Sequence, residues 1–144
     1  MSRTLYFERA DIAALIPAAF ILQALDDDGD GVEDTGLYDV VAANACNDVD
    51  ALLSPMFTVP FAAPLPALVT QAAKAVMAAS LYQRRGIEGA KNPYAKSAAD
   101  KCAQLTRIVQ KQEPVPKDFP VAVQSVSAIT EPAKTCPSDG GLLA

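Results

Sequence analysis

The run from Tyr38 to Leu68 constrains the fold more than any other part of this 144-residue chain. It opens on an amphipathic stretch ending in Leu53-Ser54-Pro55-Met56-Phe57-Thr58-Val59-Pro60. It then crosses a proline-broken link from Phe61 to Pro64 and enters a nearly all-apolar stretch at about Pro66. Proline lacks a backbone donor and pushes the residue before it towards extended backbone, so residues 55–64 do not continue a helix. Helix, extended link, helix is the frame to which everything else has to fit.

In the first stretch Tyr38, Val41, Ala42, Ala45, Val49, Leu52 and Leu53 share one face of a 3.6-residue helix, with Asp39, Asn44, Asn47, Asp48 and Asp50 mostly opposite. The second stretch, Leu65 to about Arg85, is apolar nearly all round. Leu68, Val69, Ala72, Val76, Ala79 and Tyr82 lie on one side, with Met77 and Leu81 nearby. A helix of that kind belongs in the middle of a bundle. A further amphipathic helix is expected from Pro93 to Lys111, burying Tyr94, Ala98, Cys102, Leu105 and Val109 and exposing Lys96, Asp100, Lys101, Gln104, Arg107 and Lys111. Upstream, Asp11 is expected to cap a short turn through Ile16, and Pro17 to open a helix running to about Leu25.

The predicted fold is mostly α: a small bundle of about four helices over residues 1–112, followed by an extended C-terminal arm over residues 113–144. Pro114, Pro116 and Pro120 exclude helix there, and Phe119, Val121 and Val123 alternate with polar or small residues as a strand does. The arm either packs on its own domain or, through Phe119, Val121, Val123 and Val126, adds to another chain. Deleting residues 113–144 is expected to leave the bundle folded.

The content is 51% apolar and 20% charged, with abundant alanine and no Trp, which suits one globular core. Small side chains let helices pack closely but leave a single copy little large apolar surface to bury, which points to support from neighbours. Charge is unevenly spread. Residues 1–60 carry two cations against eleven carboxylates, a net of −9, whereas residues 61–112 carry eight against two, a net of +6. The two halves meet either within one fold or between copies, since a head-to-tail contact needs two different complementary surfaces. For the second case the candidate interface residues are Asp39, Asp48 and Asp50 on one side and Lys101, Arg107 and Lys111 on the other.

Catalytic chemistry is sparse, and the chain does not read as an enzyme. With no His, imidazole bases, His-based triads and His-ligated zinc are excluded. Cys46, Cys102 and Cys136 are widely spaced and suit a reducing compartment, the first two as small core residues. No apolar run is long enough to span a bilayer, so no membrane partner is expected. Arg84-Arg85 reads as the cationic end of a helix, with Lys91 and Lys96 keeping a nucleic-acid reading open.

One motif offers ligands. Asp26, Asp28 and Asp30 followed by Gly31, with Asp34 at the ninth place, open like a calcium loop. The closing bidentate Glu is replaced by Leu37, and Glu33 stands where an apolar residue is usual. No cofactor is expected apart from Ca²⁺ at this loop; the alternative is a solvated acidic turn.

Tyr6 with Asp11 and Pro17, the Asp-rich turn, Val49-Asp50-Ala51-Leu52-Leu53, Pro55 to Pro60, Pro64-Leu65-Pro66, Leu81-Tyr82-Gln83-Arg84-Arg85 and Pro93-Tyr94 together resemble a family of bacteriophage head–tail connector proteins. The resemblance covers roughly residues 4 to 111, about the size of one small domain. Leu52 and Phe57 stand where that family usually shows tyrosines. It implies a helical adaptor in the virion neck, forming a homo-oligomeric ring, usually a dodecamer. Such a ring sits between the portal protein and a tail or stopper protein, and DNA passes through its lumen without sequence-specific binding. The rival reading is a calcium-dependent helical interaction module.

Overall fold

Five α-helices follow one another in the computed structural model, which describes residues 3–121: α1 (Arg9–Ala13), α2 (Ala18–Ala24), α3 (Leu37–Leu53), α4 (Ala67–Arg84) and α5 (Ala95–Val109). A 3₁₀ turn at Gly89–Lys91 joins the last two, and no strand is present among the described residues. α4 packs against α1, α2, α3 and α5. Its buried residues are Val69, Ala72, Ala73, Ala75, Met77, Ala78 and Leu81. The alanines let neighbours approach on several sides, as the all-round apolar pattern requires. α3 buries Tyr38, Val41, Ala42, Ala45, Cys46, Val49 and Leu53, which is the expected stripe with Cys46 added and Leu52 only half-buried. α5 fully buries only Leu105 and Ile108, while Tyr94, Ala98, Cys102 and Val109 are half-buried.

The helix ends show where local chemistry departed from the sequence reading. Asp11 is not the cap of α1. Glu8 holds that place, and the Asp11 carboxylate reaches back to accept the Glu8 N–H at 2.9 Å, as in a capping box. α4 ends on Gly86 in the left-handed region (φ 78°), with the Gly86 and Ile87 N–H groups donating to the Gln83 and Tyr82 carbonyls. α5 ends the same way on Lys111 (φ 62°), a residue with a Cβ, so this stop carried no glycine signal.

A buried polar hub holds the N-terminal segment, α3 and the proline link together. The Tyr6 hydroxyl donates to the Asp50 carboxylate and accepts the Phe61 N–H at 2.8 Å. Arg3 pairs with the other Asp50 oxygen at 2.6 Å, reaches Asn47 at 2.6 Å, and lies over the Tyr6 ring. The Tyr6 N–H donates to Cys46 Sγ at 3.5 Å. Asp50, expected on the outward face of α3 and in a subunit interface, is therefore a buried internal anchor. A carboxylate at 9% exposure needs this many partners to offset its lost hydration.

The segment after α5 returns to the domain. Asp118 accepts the Ala67 N–H at 2.8 Å, so it caps the start of α4 from 51 residues away. Phe119 is buried against Phe57 and Phe61, with ring centroids 5.4 and 6.0 Å away. Phe119 is thus core, not a free arm residue. Val121 is 86% exposed, and Val123 and Val126 lie outside the described residues.

Burial, reinforced by the bond to Asp50, pushes the Tyr6 phenol up to about 12 from its ordinary 10.0. The folded state favours the neutral form, so this contribution is intact below pH 10 and is lost as pH rises from 10 to about 12. Tyr6→Phe is expected to cost on the order of 2 kcal/mol at neutral pH and to flatten the alkaline decline. Urea unfolding of both chains across this range checks the pair of effects; equal stability and equal slopes contradict it. Phe119→Ala is expected to cost about 3 kcal/mol, and truncation after Gln112 to destabilise the bundle rather than leave it intact. Unchanged urea midpoints would overturn this placement.

Candidate functional site

The Asp-rich loop between α2 and α3 is built by its own carboxylates. Asp26 accepts the N–H groups of Gly29 (2.8 Å), Asp30 (3.1 Å) and Gly31 (2.8 Å), and Asp34 accepts that of Asp27 at 3.0 Å. Gly29 and Gly31 both take positive φ, which the tight turn requires. Asp26, Asp28 and Asp34 each bring one oxygen within 4.8 Å of the others. Asp30 does not join them; its carboxylate accepts the Val32 N–H at 2.9 Å. The Gly31 amide, above all, holds Asp26 below its ordinary carboxylate range. Asp28 is raised: the Asp30 amide pulls it down most, but the hydrogen bond with Asp26, some desolvation and the charges of Asp30 and Asp34 together outweigh that pull. Three converging oxygens can hold a hard cation, and Leu37, opening α3, leaves the bidentate position unfilled.

The charged surfaces are distributed differently from the sequence reading. Of the acids on α3, Asp50 is buried, Asp48 is exposed and close enough to α5 to act on Cys102, and Asp39 lies in the first turn. They do not make one acidic face. Asp39 instead lines an open cleft of about 560 Å³ with Phe7, Glu8, Arg9, Glu33, Asp34 and Tyr38. On the outside of α5, Lys96, Lys101 and Arg107 line a groove together with Ser97, Asp100 and Gln104. Lys96 is paired with Asp100 at 2.8 Å and Arg107 with Glu113, while Lys101 bonds Gln71 at 3.1 Å. Lys111 is exposed beyond the end of α5.

Arg84 and Arg85, which kept a nucleic-acid reading open, are used inside the chain. Arg84 clamps the Ala24 carbonyl at 2.8 Å and the Asp27 carboxylate at 2.6 and 2.8 Å. Arg85 bonds Gln23 and lies over the Phe20 ring. Burial raises the Cys46 thiol, and burial followed by the Asp48 charge raises Cys102, so both stay protonated at neutral pH. No described helix is long and apolar enough to cross a membrane.

Sequence reasoning missed two contributors. The Phe7–Arg9 wall of the cleft sits in a segment with no helical period, and although Tyr38 falls on the expected stripe of α3, the placement of Arg9 over its ring depends on tertiary contact. The guanidinium lies 4.5 Å from the Tyr38 ring while it pairs with Glu33.

A helical bundle whose conspicuous arginines, acids and aromatics are engaged in holding its own elements together fits a structural protein of a larger assembly. The family model described as Bacteriophage Mu, Gp36 matches residues 6–117, most of the chain. The chain belongs to that family, and is thereby a bacteriophage structural or morphogenesis protein. No curated protein matches it.

Proposed function

We propose that the chain is the subunit of a head–tail connector, an adaptor ring in the virion neck between the portal protein and a tail or stopper protein. The observation that carries this reading is the family match over residues 6–117. The geometry adds support of a different kind. A rigid bundle with an acid-lined cleft on one side and a basic groove on α5 offers two unlike surfaces, and unlike surfaces make head-to-tail contacts that close into rings. DNA crossing the lumen needs no base-reading groups, and Arg84 and Arg85 are taken up within the fold. Val121, 86% exposed, adds an apolar side chain open to a portal or tail partner.

The second reading, a calcium-dependent interaction module, is favoured by the convergence of Asp26, Asp28 and Asp34. One experiment separates the two. The purified chain is mixed with the portal protein of its own phage and imaged by negative-stain electron microscopy, with Ca²⁺ and with a chelator. Rings coaxial with the portal in both conditions are expected. No ring and no portal binding would overturn the connector reading, and rings lost only in chelator would move the case to the calcium module.

A further inference from the structure

Tyr38 carries a polar group that the single subunit does not satisfy. Its side chain is 9% exposed and lines the acid-lined cleft, and its hydroxyl is buried with no hydrogen-bond partner among the described residues. Buried hydroxyls in folded proteins find partners, so an orphan one beside an open cleft points to a group supplied from outside. Glu8, Glu33, Asp34 and Asp39 line that cleft against one cation, Arg9, which is already paired with Glu33. Leu5 and Phe7 line it as well, beside the Tyr38 ring. The missing partner is therefore cationic at its tip and carries apolar surface around it.

We infer that this cleft is the socket for Lys101 on α5 of a second copy of the chain. Of the three cations in the α5 groove, Lys101 alone has no acidic partner within its own chain among the described residues. An ammonium group has three donors and a long apolar stem: it suits the Tyr38 oxygen and the Asp39 and Glu8 carboxylates, with the stem left for apolar contact. Cleft and groove share no residue, so each copy is free to take the Lys101 of one neighbour and give its own to another, as a head-to-tail ring requires. The inference rests on the ring reading and assigns its side-to-side contact.

The test is a charge swap read by native mass spectrometry and sedimentation velocity. Asp39→Lys and Lys101→Glu are each expected to weaken assembly by about tenfold or more in a salt-sensitive way, and an equal mixture of the two to restore it, because every contact in an alternating ring is again attractive. Asp39→Asn serves if the lysine weakens the start of α3. Tyr38→Phe is expected to weaken assembly by about tenfold while leaving the thermal midpoint of the lone subunit unchanged or higher, since it removes an unsatisfied buried group. Rings that form normally in all these variants, or a mixture no better than its components, overturn the socket while the connector reading stands. If the unmodified chain forms no oligomer, alone or on the portal, both fall.

Discussion

The carboxylate of Asp50 is the point on which the rest of the structure depends. It lies on α3 among apolar neighbours, where an unpaired charge would cost far more than a small domain can spare. Arg3 and Tyr6 satisfy it, and the Tyr6 hydroxyl passes the connection on to the Phe61 amide. One network therefore ties the N-terminal segment, the end of α3 and the proline link. The link in turn presents Phe57 and Phe61 to Phe119. Remove the hub and two segments without regular secondary structure, the N-terminal segment and the proline link, lose their common anchor on α3. The helices alone, rich in alanine, have limited large apolar surface with which to replace it.

The same economy extends to the arginines, every one of which among the described residues is engaged within the fold. Arg3, Arg9, Arg84 and Arg107 are each paired with an acid of their own chain, and Arg85 lies over Phe20. Exposed pairs of this sort add little stability each, but they fix the orientation of loops on the bundle. The surfaces that stand out are the cleft at the start of α3, the groove on α5 and the exposed position of Val121. A subunit of a phage assembly has its function in such surfaces, and their rigidity follows from the internal pairing.

Much of the fold was legible in the sequence because it followed from period and punctuation. The α3 stripe, the central place of α4, the break over residues 55–64 and the loop over residues 26–36 all rest on local rules. What escaped was tertiary. Asp50 has the spacing of a solvent-facing acid, and only Arg3 and Tyr6, more than forty residues away, make it a core residue. Phe119 alternates like a strand residue, yet the aromatic pair in the proline link claims it. Asp118 caps a helix far upstream, which no local signature marks. At the candidate site the calcium-like spacing marked four carboxylates, of which Asp26, Asp28 and Asp34 converge while the Asp30 oxygen turns to the Val32 amide. The cleft around Tyr38 was invisible because its walls come from separate segments, residues 5–9 and 33–39.

The most direct measurement of the hub is amide hydrogen exchange at Phe61. Its N–H sits in a link without regular structure and is held only by the Tyr6 oxygen. If the network organises the domain as described, that amide exchanges as slowly as the core amides of α4, through global unfolding alone. Exchange at the rate of an open loop, with α4 still protected, would show that the link is not anchored and that the bundle stands without it.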